Sequence, residues 1–150
     1  GGDYLVAAIP DRIYIDIRDW DVINQLEREN YFNFSNKTRK DQFMFALAIG
    51  VNSALNINSV NIEKRREIFL TKDLSENDKA IFYAVAIKSS NGDLNIINDL
   101  NEVYKIVQKY AHIGFQILYN RIKNTAYGSF EKIFEVEMAE LYNELFLIKN

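Results

Sequence analysis

The sequence predicts a mainly α-helical fold, a compact bundle of about five helices in one domain, with at most a short strand or hairpin near the N-terminus. Three observations carry that expectation. Several long stretches repeat apolar residues at spacings of three and four. Only one short stretch alternates. One Pro and six Gly in 150 residues leave few positions for special backbone angles, which fits helices joined by short polar connections.

The elements follow in order. RIYIDI (12–17) sets Ile13, Ile15 and Ile17 against Tyr14 and Asp16, the alternation of a short strand. DWDVINQLEREN then offers Asp19 as a helix N-cap, with Trp20, Ile23 and Leu26 on one stripe. YFNFSN reads as an aromatic connector whose Tyr31, Phe32 and Phe34 are candidates for exposed protein-contact residues. From Thr38 to about Ser53 apolar residues cover nearly every face, so this helix belongs at the centre of the bundle. Residues 52–72 are polar and read as a long connection. Ser75, with Asp78 three residues on, opens a helix to about Lys88, and SSNGD (89–93) is a turn by composition. Asp99 with Glu102 opens the longest helix, to about Lys123, with Val103, Ile106, Val107, Tyr110, Ile113, Gly114, Ile117, Leu118 and Ile122 as its stripe. After a loop at NTAYGS, Ser129 caps a last helix to about Leu147, apolar at Phe130, Ile133, Phe134, Met138, Leu141, Tyr142 and Leu145.

Composition bounds function. Apolar residues at 48% and aromatics at 13% supply a core and exclude a disordered chain. A net charge of −3 argues against a generally basic nucleic-acid binder but leaves room for a local patch. Without cysteine there is no disulfide, thiolate metal site or Cys nucleophile. No apolar run reaches membrane-spanning length, and GGDYLVAAIPD lacks the basic start of a signal peptide. The expectation is a cytoplasmic protein with no membrane partner, its first 11 residues a flexible or tag-derived lead-in.

Catalytic motifs are missing. His112 is the only histidine, so no two-histidine metal site can be built, and no GxSxG, GxGxxG or GxxxxGK[ST] occurs. No cofactor or metal is therefore expected, and no enzyme activity is predicted. His112 lies beside the apolar stripe of the longest helix and reads as a structural histidine, with a catalytic base as the alternative. Glu131, Glu135, Glu137, Glu140 and Glu144 read as a solvated helix face, or as an acidic surface for a protein or a divalent ion.

Positive charge is less evenly spread. Between residues 36 and 72 lie Lys37, Arg39, Lys40, Lys64, Arg65, Arg66 and Lys72, against Asp41, Glu63 and Glu67. The first three sit where a helix begins, an end already positive from its dipole. Either Thr38 and Asp41 complete the cap and the cations are solvated, or an anion is expected there. Lys37, Arg39, Lys40, Lys64, Arg65 and Arg66 are the candidate nucleic-acid or anion-binding residues.

The order RIYIDI, TRKDQFMFALAIG, FLTKDLSENDKAIFYAVAI, GDL and EVYKIVQKYAHIGFQILY, over roughly residues 12–122, resembles small prokaryotic proteins associated with DNA phosphorothioation (Dnd) systems. The resemblance implies a setting, defence against foreign DNA, and no defined reaction or catalytic residue. The reading that results is a non-catalytic accessory protein whose partner is DNA or a protein of a defence complex. The alternatives are a self-assembling module, a homo-dimer built on Tyr31, Phe32 and Phe34, and a nuclease-like enzyme.

Overall fold

Asp16 is both the last residue of strand β1 (Arg12–Asp16) and the N-cap of helix α1 (Ile17–Arg28). Its backbone is extended, so the chain turns from strand to helix without a loop. The computed structural model describes residues 9–53, 56–124 and 129–146, with side chains in the last helix described from 135 to 144. After α1 the order is α2 (Arg39–Asn52), β2 (Arg65–Leu70), α3 (Glu76–Ser89), α4 (Leu100–Lys123) and α5 (Ser129–Phe146), with short 3-10 turns between them. The fold is mainly α with a short strand near the N-terminus, as the sequence predicts, and among the described residues that strand belongs to one small antiparallel sheet.

Two boundaries differ from expectation. The cap of α1 is Asp16 and not Asp19, which is instead fully buried inside the helix's first turn. The polar stretch 52–72 also hides β2, whose RREIFL pairs with β1 in the register Asp16↔Arg65, Ile15↔Arg66 and Ile13↔Phe69. Three charged residues in six mask the strand's apolar signal, and only Ile68 and Phe69 are buried. The starts of α2, α3 and α4 follow their predicted caps: Thr38 Oγ1 accepts from Asp41 N (3.1 Å), Ser75 and Asp78 form a full capping box, and Asp99 accepts from Glu102 N (3.2 Å). Ser129, expected to cap the last helix, is its first residue, and its side chain lies outside the described residues. SSNGD is a turn, with Asn91 and Gly92 at positive φ.

Helices α2 and α4 form the centre of the molecule. They cross so closely that a Cβ on Gly114 would lie 1.8 Å from the Ala46 carbonyl oxygen, and one on Gly50 would lie 1.8 Å from that of Tyr110. Glycine at both points lets two backbones meet, and no larger residue fits without parting the helices. Around this crossing Phe43 packs on Phe69 and Phe82, and Phe82 on Tyr104, with ring centroids 5.5–6.0 Å apart.

Tyr31, Phe32 and Phe34, expected to be exposed, belong to this core. They are 8%, 6% and 0% exposed. Asn30, Phe32 and Asn33 adopt positive φ, which coils the connector back onto α2. Phe32 and Phe34 then meet Phe45 at 5.6 and 5.7 Å, while Gln42 Nε2 donates to the Phe34 carbonyl (3.0 Å). Burial of three large rings outweighs the cost of two left-handed non-glycine residues at and beside Phe32.

Candidate anion-binding face

The six candidate cations do not form one patch. Those at the start of α2 are half-buried and each has a partner within the fold. Lys37 Nζ lies 5.3 Å from the Phe45 ring centroid. Arg39 stacks on Trp20 (4.7 Å) and donates to Glu27 (3.0 Å) and Gln42 (2.9 Å). Lys40 Nζ reaches Asp78 Oδ2 at 2.7 Å and so joins the starts of α2 and α3. Burial pushes the Asp78 carboxyl up, but hydrogen bonds from Lys40 and Ser75 outweigh it and hold it below the usual range. The hydrogen bond to Asp78 raises Lys40 correspondingly.

Lys64, Arg65 and Arg66, at the start of β2, are all exposed. Lys64 and Arg66 make no ion pair or ring contact among the described residues, while the Arg65 guanidinium stacks over Tyr14 at 4.3 Å. The α2 entrance meets the far half of this strand, lining a shared cavity with Glu67, Ile68, Phe69 and Leu70. At roughly 3.3 Å per residue, the start of β2 lies about 10 Å beyond that contact.

A buried polar network fixes the start of β2. Both Asp16 oxygens accept from Arg18, at 2.8 Å from its Nε and 2.7 Å from its Nη2, and Asp16 also accepts from the backbone N–H of Arg18 (2.8 Å) and Glu63 (3.3 Å). The Arg18 hydrogen bond lowers the Asp16 pKa to about 2 although the carboxyl is buried. Ile17 N donates to the Lys64 carbonyl (2.8 Å), so the strand's basic start is tied to the same corner.

Helix α4 supports this corner with a line of three polar residues four apart. Gln108 Oε1 accepts from Tyr14 N (2.9 Å), His112 Nδ1 lies 2.8 Å from Asp19 Oδ2, and Gln116 Nε2 donates to Asp19 Oδ1 (2.9 Å). Desolvation raises the Asp19 carboxyl. The other ring nitrogen of His112 faces Arg18 Nη2 at 3.4 Å, so both nitrogens have neighbours and the histidine is packed into the structure.

Beside Arg65 opens a cavity of about 270 Å³ lined by Asp11, Arg12, Tyr14, Arg65, Asn101, Tyr104, Lys105 and Gln108, together with Ile9 and Pro10. Arg12, Lys105 and Gln108 were not singled out by sequence. Their signal was present only for Gln108, whose fourfold spacing with His112 and Gln116 marks a polar line beside the helix's apolar stripe. Arg12 and Lys105 become neighbours only through the β1–α4 packing.

The acidic set is dispersed: Glu135, Glu137, Glu140 and Glu144 are exposed, Glu137 lies 3.7 Å from Arg121, and the Glu131 side chain lies outside the described residues. No group of three or more His, Asp or Glu able to hold a metal is present among the described residues, and no described helix is long and apolar enough to cross a membrane. No protein-family model, curated protein or solved structure matches the chain.

Proposed function

We propose that the chain is a non-catalytic accessory protein that binds nucleic acid through the basic start of β2, in a DNA-related defence setting of the kind its sequence resemblance implies. The observation that carries this reading is Arg65 stacked on Tyr14 between exposed Lys64 and Arg66. Arg65 lies on the Tyr14 face of the ribbon and Lys64 and Arg66 alternate to the other, so the ribbon end offers charge to phosphates on either side. A stacked guanidinium presents a planar surface on which a base can lie. The Asp16 corner holds that start in place before any ligand arrives, which lowers the ordering cost of binding.

The reading places the nucleic-acid site at Lys64, Arg65 and Arg66, and leaves Lys37, Arg39 and Lys40 to the fold. A dimer through Tyr31, Phe32 and Phe34 loses its surface, because those rings are in the core. The test is fluorescence anisotropy with labelled single- and double-stranded DNA across a salt series. Wild type is expected to bind with a salt-dependent constant. The K64A/R65A/R66A variant should lose about three phosphate contacts, flattening the log–log salt slope by roughly 2 on single strands, with thermal stability changed by less than about 0.5 kcal/mol. Equal binding by the two proteins would remove the assignment.

A further inference from the structure

We infer that the cavity between β1 and the first turns of α4 takes one nucleoside phosphate, with the phosphate on Arg65 and Lys105 and the base edge on the Gln108 amide. This deepens the nucleic-acid reading of the adjoining strand and rests on it.

The charge of the cavity favours an anion. Arg12, Arg65 and Lys105 line it against a single carboxylate, Asp11. Arg12 lies 3.7 Å from Asp11 and binds Glu67 at 2.7 Å, so it offsets one of the two nearby acids, and with Arg65 and Lys105 the balance stays positive. Arg65 and Lys105 make no ion pair among the described residues and keep their charge for a ligand. The Arg65 guanidinium lies over the Tyr14 ring, 4.3 Å from its centroid, and its planar fork of N–H donors can offer two of them to a phosphate.

The opposite wall is built for something larger than a phosphate. Gln108 is 8% exposed, and its Oε1 is committed to Tyr14 N. Its amide nitrogen, held at the cavity wall by that bond, makes no hydrogen bond among the described residues. Its donors open into the cavity, where the carbonyl or ring nitrogen of a base can take the place of water as acceptor. Tyr104 adds an aromatic wall, and burial raises its phenol above the usual range, so it stays neutral. A volume of about 270 Å³ lies just under the ~300 Å³ at which pockets for drug-sized ligands begin, which limits the occupant to one nucleotide unit.

The test follows backbone and side-chain amide NMR signals during titration with thymidine monophosphate, thymidine and inorganic phosphate. Saturable shifts of Tyr14, Lys105 and the Gln108 side-chain amide are expected with the monophosphate, with a dissociation constant on the order of 1 mM or tighter. Thymidine and phosphate alone should each bind at least about tenfold more weakly. Lys105→Ala removes a phosphate donor from the surface. Gln108→Glu keeps the acceptor for Tyr14 N but replaces the amide donors by a charge that repels phosphate. Each should weaken the monophosphate about tenfold, with the rest of the spectrum unchanged. A 5′-phosphorylated oligonucleotide that outcompetes the monophosphate assigns the site to strand ends, and the reverse order assigns it to free nucleotide. Both uphold it. Phosphate matching the monophosphate, or shifts absent at all three residues, would overturn it. If oligonucleotides still bind in that case, the strand surface stands and only the cavity assignment fails. If no oligonucleotide binds, the surface itself fails.

Discussion

The two groups of cations, three at the start of α2 and three at the start of β2, look alike in sequence and differ in how the fold uses them. Lys37, Arg39 and Lys40 are half-buried against Phe45, Trp20, Glu27 and Asp78. Lys64, Arg65 and Arg66 are exposed, and among the described residues the one ring contact or ion pair they make is the stack of Arg65 on Tyr14. A helix entrance packed into a bundle has neighbours on most sides, so its long side chains find partners. The end of a two-stranded ribbon has few neighbours. The difference teaches that a cluster of positive charge is a functional signal only after the fold has claimed the cations it needs.

The largest expected effect that would break this comparison comes from the α2 group. The K37A/R39A/K40A variant should lose about 2–3 kcal/mol of stability, mostly from leaving the Asp78 and Glu27 carboxylates without their cations. Urea unfolding measures that loss, and oligonucleotide affinity measured on the folded variant should stay within about twofold of wild type. A folded variant that no longer binds DNA would return these residues to the site.

Acid titration gives the next effect. Asp16 has its carboxyl at about 2, against an ordinary 3.8, so its contribution is complete above the ordinary value and is lost as pH falls through the folded one. Between about pH 5 and pH 2 wild type should lose roughly 2 kcal/mol more than Asp16→Asn, read as the difference in urea midpoints. Parallel pH curves for the two proteins would show that the corner does not hold the ribbon as described.

The smallest effect distinguishes Arg39 within its group. Glu27→Gln keeps a neutral acceptor for Arg39 and Gln42 and removes only the charge, so a cost of about 0.5 kcal/mol is expected, shrinking in high salt. A loss above about 2 kcal/mol would mean that the Arg39–Glu27 pair is more deeply desolvated than its exposure indicates.

Helix positions were legible in the sequence because caps and apolar stripes are local: Thr38, Ser75 and Asp99 start their helices as read. Strand β2 was not legible, since its pairing with β1 joins residues some fifty positions apart and its own run is half charged. Exposure of Tyr31, Phe32 and Phe34 was misread because positive φ at Asn30, Phe32 and Asn33 redirects the connector, and none of these is glycine. Of the candidate site, Lys64, Arg65 and Arg66 were visible as a run. Arg12, Tyr14 and Lys105 were not, because a cavity wall drawn from two distant elements leaves no trace in either one alone, and Gln108 shows in the sequence only as one member of a polar line on α4.

The polar line on α4 has a consequence for how the chain finds its native arrangement. A helix sliding along its neighbours by one turn moves about 5.4 Å and exchanges each residue for the one four places away. An apolar stripe tolerates that slip, because Val, Ile and Leu are near equivalents in a core. Gln108, His112 and Gln116 do not, since one accepts from a strand N–H while the others face the two oxygens of Asp19. A one-turn slip would put an imidazole opposite Tyr14 N and take it away from the fully buried Asp19, which would face the amides of Gln116 and Asn120 instead. These three side chains therefore act as a keyed address: they let the longest helix dock in one register on the corner that carries the basic ribbon.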